Sequence, residues 1–360
     1  MSFTSVQLEE INLLEAKLRE SQIPKELSVK ANIMISRLSR IASSQGFSQE
    51  YEIVARYLDW VTSLPWTKRS QENLSLANAR KIMDQNHFGL DNIKERILEY
   101  ISTVSLKKDQ IGKLDTREQS TDIFALKAPA LLLLGLVGTG KTTMAYSIAQ
   151  ALDRQFGRIP MGGMGDALQL RGKSRTYPDA EPGQIIKVLR RVQSKNPVIL
   201  LDEIDRITEE AKADIMGVLV ELLDPEQNSN FLDHFIDYPF DLSEVLFITT
   251  ANNTAGIATA VLDRLEIIEM PSYSDEQKII IGKNFLFPRA IKASGLSKKD
   301  ITFQEDVWPQ IVRPLGFDAG MRTLDRTINS ICRKVAKLKV EDKISQLMLT
   351  TENLKDYLPK

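Results

Sequence analysis

The residues of this chain best placed to do chemistry are Gly135-Leu136-Val137-Gly138-Thr139-Gly140-Lys141-Thr142. They spell G-x-x-x-x-G-K-T between an apolar run, Leu131-Leu132-Leu133-Leu134, and a helical pattern from Thr143 to Leu152. Strand, glycine-rich loop and helix in that order make an anion cradle. Glycines let the backbone curl until successive N–H groups point inward. The helix that follows turns its positive N-terminal end to the same place. The spacing suits a nucleoside triphosphate: Lys141 would reach the β- and γ-phosphates, and the Thr142 hydroxyl would hold Mg²⁺. Residues Gly135 to Thr143 are the expected nucleotide-binding stretch.

Two further apolar runs end in polar groups. Val198-Ile199-Leu200-Leu201 runs into Asp202-Glu203. An acid at the C-terminal end of a strand faces the ligand crevice of an open α/β sheet. Asp202 is expected in the Mg²⁺ shell, and Glu203 as the general base that polarises the attacking water. Val245-Leu246-Phe247-Ile248-Thr249-Thr250-Ala251 runs into Asn252, which either addresses the γ-phosphate and the water or merely turns the chain. Two arginines complete the set. Arg264, in Leu262-Asp263-Arg264, either acts in trans on a neighbour's nucleotide or forms a surface salt bridge. Arg322, in Ala319-Gly320-Met321-Arg322, opens a helix and could fold back on the phosphates.

The elements that must position these groups can be read from periodicity. Strands alternate with helices from Ala130 to about Pro271, which implies a parallel sheet covered on both faces. Before it, helices are expected over Val6–Ser21, Lys25–Ser44 and Gln49–Leu64, then over Ser75–Met83 and Gly89–Leu106. Lys107 to Pro129 is polar and reads as a loop. After Ser272 the pattern is mostly helical, with breaks at Gly295, Pro314 and Gly316. This divides the chain into a helical segment (1–66), an α/β nucleotide-binding domain (67–271) and a small helical domain (272–360).

Composition narrows the partners. Of 360 residues, 47 are Lys or Arg and 48 are Asp or Glu, so no excess of positive charge points to nucleic acid or an anionic membrane. The longest apolar run, Ala130 to Val137, is far short of the ~20 residues that span a bilayer. One cysteine, Cys332, cannot form an intramolecular disulfide, which points to a reducing, cytoplasmic setting and a packing role in a helix over 328–335. His87 and His234 have no companions at metal-ligand spacing.

Together these elements resemble an AAA+ ATPase, and the flanks narrow the resemblance to the ATPase module of the Lon family of ATP-dependent proteases. The residues that carry it are Tyr57-Leu58-Asp59-Trp60 with Leu64-Pro65-Trp66, His87-Phe88-Gly89-Leu90, and Asp202-Glu203-Ile204-Asp205. Further along come Glu221-Leu222-Leu223-Asp224-Pro225-Glu226-Gln227-Asn228, Leu262-Asp263-Arg264, Ala319-Gly320-Met321-Arg322 and Cys332-Arg333-Lys334. The resemblance runs from about residue 8 to Tyr357. It implies a helical segment, an α/β nucleotide domain and a helical lid, in a homohexameric ring with ATP at subunit boundaries and a polypeptide as substrate. It also implies that Arg264 is the arginine finger, Asn252 sensor 1 and Arg322 sensor 2, and that His87, Phe88, Gly89 and Leu90 line the adenine pocket.

Three departures from the family pattern stand out. No region for the family's Ser–Lys dyad follows Asn353-Leu354-Lys355-Asp356-Tyr357, so peptide-bond cleavage is expected of a separate domain or subunit. The usual N-terminal substrate domain is also missing from these residues. The loop that grips polypeptide usually reads aromatic, hydrophobic, glycine; here it is Tyr177-Pro178-Asp179. Tyr177 keeps the aromatic ring, Pro178 stiffens the loop and Asp179 brings a charge. The leading expectation is an ATP-driven polypeptide motor. The alternative is a nucleotide-dependent switch or scaffold that does not thread. A DNA-acting relative is disfavoured by the neutral charge.

Overall fold

A computed structural model describes residues 3–43, 49–111, 130–312 and 320–358. Three helices open it: α1 (Phe3–Glu20), α2 (Lys25–Ser43) and α3 (Gln49–Ser63). Pro24 separates the first two. Ser44 lies outside the described residues. Ile11, Leu14 and Leu18 recur at helical spacing on α1, as do Leu27, Ala31, Ile35 and Leu38 on α2, and all of them are buried. Residue 66, the expected end of this segment, is Trp66. Its ring lies against Tyr238 and Phe240, at centroid distances of 5.9 and 4.9 Å. The apolar cluster therefore runs without a gap from α1–α3 into the body of the molecule.

Helices α4 (Leu76–Asn86) and α5 (Asp91–Ile111) follow. The Ser75 side chain caps α4 by accepting from Asn78 N. Helix α5 runs beyond Leu106 into the stretch expected as loop. Lys107 to Gln110 hold no helix breaker, and the first glycine is Gly112. The remainder, 112–129, lies outside the described residues.

The sheet is built from β1 (Ala130–Leu134), β2 (Phe156–Pro160), β3 (Val198–Asp202), β6 (Leu246–Ala251) and β7 (Leu265–Glu269). Its order is β2-β3-β6-β1-β7, and every pairing is parallel. Both faces are covered, which is why β1, β3 and β6 open on continuous apolar runs rather than alternating. Leu132, Ile199, Leu201 and Phe247 join the cluster that holds α1–α3. Leu131, Leu133, Val198, Leu200, Leu246 and Ile248 join the opposite cluster with α4 and α5. Between the strands lie α6 (Lys141–Ala151), α7 (Leu168–Arg171), α8 (Gln184–Val192), α9 (Lys212–Leu223) and α10 (Thr259–Leu262), with an antiparallel pair, β4 (Phe231–Asp233) and β5 (Tyr238–Phe240).

The last region has α11 (Asp275–Ile281), α12 (Phe287–Ala293), α13 (Val307–Val312), α14 (Arg322–Val340) and α15 (Leu354–Tyr357). A capping box between Ser274 and Gln277 starts α11. A π-helical turn, Gly282–Leu286, links α11 to α12, and Gly295 follows at φ 70°. The expected breaks at Pro314 and Gly316 lie outside the described residues. Phe287, Phe303 and Trp308 stack in the core of this region. Cys332 is buried on α14, and burial pushes its thiol up to about 11. One feature went unread in the sequence: β8 (Ile301–Phe303) pairs in parallel with β9 (Leu347–Leu349). Three-residue strands are too short to carry a period-two signal. No helix among the described residues is long and apolar enough to cross a membrane.

Candidate functional site

The glycine-rich loop joins β1 to α6. Gly138 and Gly140 sit at φ 85° and 96°, a left-handed conformation that glycine adopts without strain. Gly135 lies so close to Met270 O that a side chain there would clash. Lys141 opens α6 and turns back over the loop. Its Nζ donates to Gly135 O at 2.5 Å, Leu136 O at 3.0 Å and Asn252 Oδ1 at 3.0 Å. Burial pulls the Lys141 ammonium pKa down, and the carboxylates of Asp205, Asp202 and Glu203 act against that pull.

Parallel register aligns the ends of β1, β3 and β6, with Leu134 opposite Ala251 and Leu201 opposite Thr249. Asp202 and Asn252 therefore come out on the same side as the loop. Asp202 is buried and well held. Thr250 Oγ1 donates to its Oδ1 at 2.6 Å, and Arg158 reaches its Oδ2 through Nε at 2.8 Å and Nη2 at 2.5 Å. Thr142 Oγ1 is 3.5 Å from Oδ1. Glu203 follows at φ 61°, strained for a residue with a Cβ. Its backbone N–H donates to Thr250 Oγ1 at 2.9 Å, and its carboxylate lies 3.6 Å from Arg206. Asn252 is anchored through N and Nδ2 to Asp205 Oδ2, at 3.0 and 3.2 Å.

Thr250, Arg158 and Asp205 were missed as site residues by the sequence reading. Each leaves a trace in it: a threonine pair inside a buried apolar strand, a lone charge in Phe156-Gly157-Arg158-Ile159, and a second acid just after Asp202-Glu203. The donor set fits Mg²⁺. Thr142 and Asp202 offer two hard oxygen ligands side by side and leave the other positions to phosphate and water, as Mg²⁺ prefers. Asp205 Oδ1, buried beside Asn252, has no hydrogen-bond partner among the described residues, so the site still has an acceptor to satisfy.

A cavity of about 620 Å³ opens beside the loop, lined in part by Leu90, Leu136, Asn252, Met270 and Tyr273. Of the four residues 87–90, only Leu90 lines it. His87 is buried with Nε2 3.0 Å from Ser147 Oγ, and burial pushes its imidazole down to about 4, so it is neutral at pH 7. Phe88 packs against the core of the last region. Gly89 and Leu90 both take positive φ and turn the chain into α5.

The last region touches the loop directly. Met321 N donates to Gly138 O at 2.9 Å, and a Cβ on Gly320 would strike Val137 O. Arg322 follows in the first turn of α14; Ala319 lies outside the described residues. Arg264 stands apart from this cluster. It pairs with Asp224 through Nε and Nη2, both at 3.1 Å, and donates to Ala260 O at 2.7 Å. Asp224 opens the Asp-Pro-Glu-Gln-Asn string and also accepts from Glu226 N and Gln227 Nε2. Tyr177 is also remote, 61% exposed at the tip of the loop between α7 and α8.

Comparison with known proteins matches residues 131–273 to the ATPase family associated with various cellular activities (AAA). Residues 292–347 match the Lon protease AAA+ ATPase lid domain. The chain is 42% identical over 350 residues to a Lon protease of Dictyoglomus thermophilum, covering 97% of this chain and 42% of that protein. It is 40% identical over 345 residues to a Lon protease of Clostridioides difficile, covering 96% of this chain and 41% of that one. The chain thus spans about two fifths of the length of the curated relatives it matches. An AAA domain followed by a Lon lid, in a chain that aligns over 96–97% of its length with one part of these proteases, identifies it as an AAA+ module of the Lon family.

Proposed function

We propose that this module binds ATP with Mg²⁺ and hydrolyses it in a homohexameric ring. Hydrolysis then drives unfolding and translocation of a polypeptide toward a peptidase domain or subunit. The observation that supports this best is the convergence of Lys141, Asp202, Glu203 and Asn252 in front of the glycine loop. Lys141 already lies against Asn252, so both address the same phosphate. Arg158 and Thr250 orient the Asp202 carboxylate, and Thr142 stands beside it to share the cation. Mg²⁺ held by Thr142 and Asp202 would neutralise phosphate charge. Glu203, held by its backbone to Thr250, takes the proton from the attacking water as its oxygen bonds to the γ-phosphorus and the bond to the β-phosphate oxygen breaks. The cavity by Leu90 is the place for the base. Arg322, next to the loop on the lid side, approaches the phosphates. Arg264, presented by Asp224, acts on a neighbour's nucleotide. Tyr177 touches the polypeptide. The lone, buried Cys332 suits a reducing, cytoplasmic setting.

One observation favours a second reading, a switch that does not thread. Lys173 holds Asp179 at 2.5 Å beside Pro178, so the loop tip is stiff and charged rather than apolar. ATP turnover per chain, measured with Mg²⁺ against protein concentration, tests the first reading. A steep rise is expected, because a neighbour's Arg264 completes each site. Background turnover at every concentration would overturn the motor. Movement of a labelled unfolded polypeptide, driven by ATP, excludes the switch.

A further inference from the structure

Asp233 ends β4 and is fully buried, yet it has no part in the nucleotide site. Its Oδ1 accepts from Phe235 N at 2.9 Å and Ile236 N at 3.0 Å, which shapes the turn between β4 and β5. Its Oδ2 accepts from Gly183 N at 2.7 Å. Gly183 is the downstream end of the Tyr177 loop, just before α8. The upstream end closes on the same carboxylate. A Cβ on Gly172, at φ 76°, would lie 2.9 Å from both oxygens of Asp233 and 2.8 Å from Gly183 N. Beside it, His234 N donates to Arg171 O at 2.7 Å, and Lys173 N donates to Glu181 O at 2.9 Å. Both ends of the loop are therefore gathered at one buried carboxylate.

The same turn is held from the other side by α3. Tyr57 donates its hydroxyl to Ile236 O at 3.2 Å and lays its ring against Phe235. Arg175, from the Tyr177 loop itself, sits 4.0 Å above the Tyr57 ring and 3.5 Å from Asp237. Helix, turn and loop meet at a single point. We propose that Asp233 is the positioning residue that couples the N-terminal helices to the Tyr177 loop, so that a displacement of α3 is carried to the loop tip. The coupling stands on this geometry. Its consequence, that the grip on polypeptide is set by the helices, rests on the motor reading above. Burial raises the Asp233 carboxyl to about 6 even though three N–H donors pull the other way. A charge kept there works against folding, which is what a group retained for the contacts it makes would do.

The test uses the full chain with Tyr177→Cys carrying a nitroxide spin label; Cys332 is buried with a raised thiol pKa and does not compete. Asp233→Asn keeps the shape but turns one acceptor into a donor facing Gly183 N. Label mobility is expected to rise at least about twofold in Asp233→Asn and to rise also in Tyr57→Phe, with no further rise in the double variant, because the two act through one turn. Affinity for a fluorescent ADP derivative, unchanged within about twofold, certifies the fold of each variant. Unchanged mobility in folded Asp233→Asn, or independent increments in the double variant, would overturn the coupling. If Asp233→Asn does not fold, Tyr57→Phe alone decides, and wild-type mobility there overturns it. ATP consumed per polypeptide translocated is expected to rise severalfold in Asp233→Asn. An unchanged ratio would overturn the mechanical consequence. If the mobilities couple but the wild type moves no polypeptide, the motor reading fails and the coupling survives.

Discussion

The glycine loop with its strand ends and the Tyr177 loop solve opposite problems. At the first, Lys141 and Asp202 are buried, Asn252 is half-buried, and all three are fixed. Lys141, Asp202 and Asn252 are each held by two or more hydrogen bonds or ion pairs, from strands whose register is set by the core. At the second, the Tyr177 ring is exposed and makes no such contact; what is buried is the base of its loop, gathered on Asp233. Electrostatic chemistry needs preorganised groups, because reorganising them during the reaction costs rate. In the motor proposed above, contact with a passing polypeptide needs a ring that reaches solvent and a root that does not slip. The difference teaches that buried groups can be sought in the sheet, whereas an exposed one is to be sought through its anchor.

Four measurements can break or sharpen this contrast. Glu203→Gln is expected to lower turnover by about 10²–10⁴-fold while fluorescent-nucleotide binding is retained, since a general base contributes that much. Turnover left intact would remove Glu203 from the chemistry. The next effect lies at the anchor. Asp233 titrates near 6 in the folded chain against an ordinary 3.8, so its raised pKa contributes stability that is full below about pH 4 and lost as pH rises through about 6. Comparing wild type with Asp233→Asn from about pH 4 to about pH 7 should change their stability difference by about 2 kcal/mol, against the wild type at the higher pH. His234, Arg171, Arg175 and Asp237 surround the turn in both chains, so only their interaction with the Asp233 charge enters the difference. A flat difference would show that the carboxylate is not strained by burial.

Smaller effects test the other members. Thr250→Val keeps shape but strips a donor from Asp202 and an acceptor from Glu203 N. A loss of about 1–3 kcal/mol in denaturant unfolding is expected, with weaker Mg²⁺ dependence of nucleotide binding. No loss would mean Asp202 is held by Arg158 without help from Thr250. Tyr177→Ala should change stability by no more than about 0.5 kcal/mol, as an exposed side chain without a partner does. Its whole effect should fall on polypeptide movement. A large loss of stability there would erase the distinction between tip and root.

Much of this molecule is written locally. The run of glycines before Lys141-Thr142, the acids after an apolar strand and the Asp-Pro-Glu-Gln-Asn string are contiguous patterns, and they sufficed to expect the family and the covered parallel sheet that the structure and the comparisons bear out. Helix ends were legible where a proline or a cap marks them, at Pro24 and Ser75, and misread at α5, where polar residues without a breaker simply continue the helix. The pairing of Thr250 with Asp202, of Asp205 with Asn252, of Arg264 with Asp224, and of Asp233 with Gly183 joins residues 40 to 50 positions apart. Such contacts follow from strand register and from how loops close on one another, which no local pattern encodes. Sequence by itself determined which chemistry the chain carries and the class of fold that carries it, because both are fixed by short-range spacing. Only the tertiary structure decided which groups hold the working ones in place, because a hydrogen bond needs its partner within about 3 Å, whatever the distance along the chain.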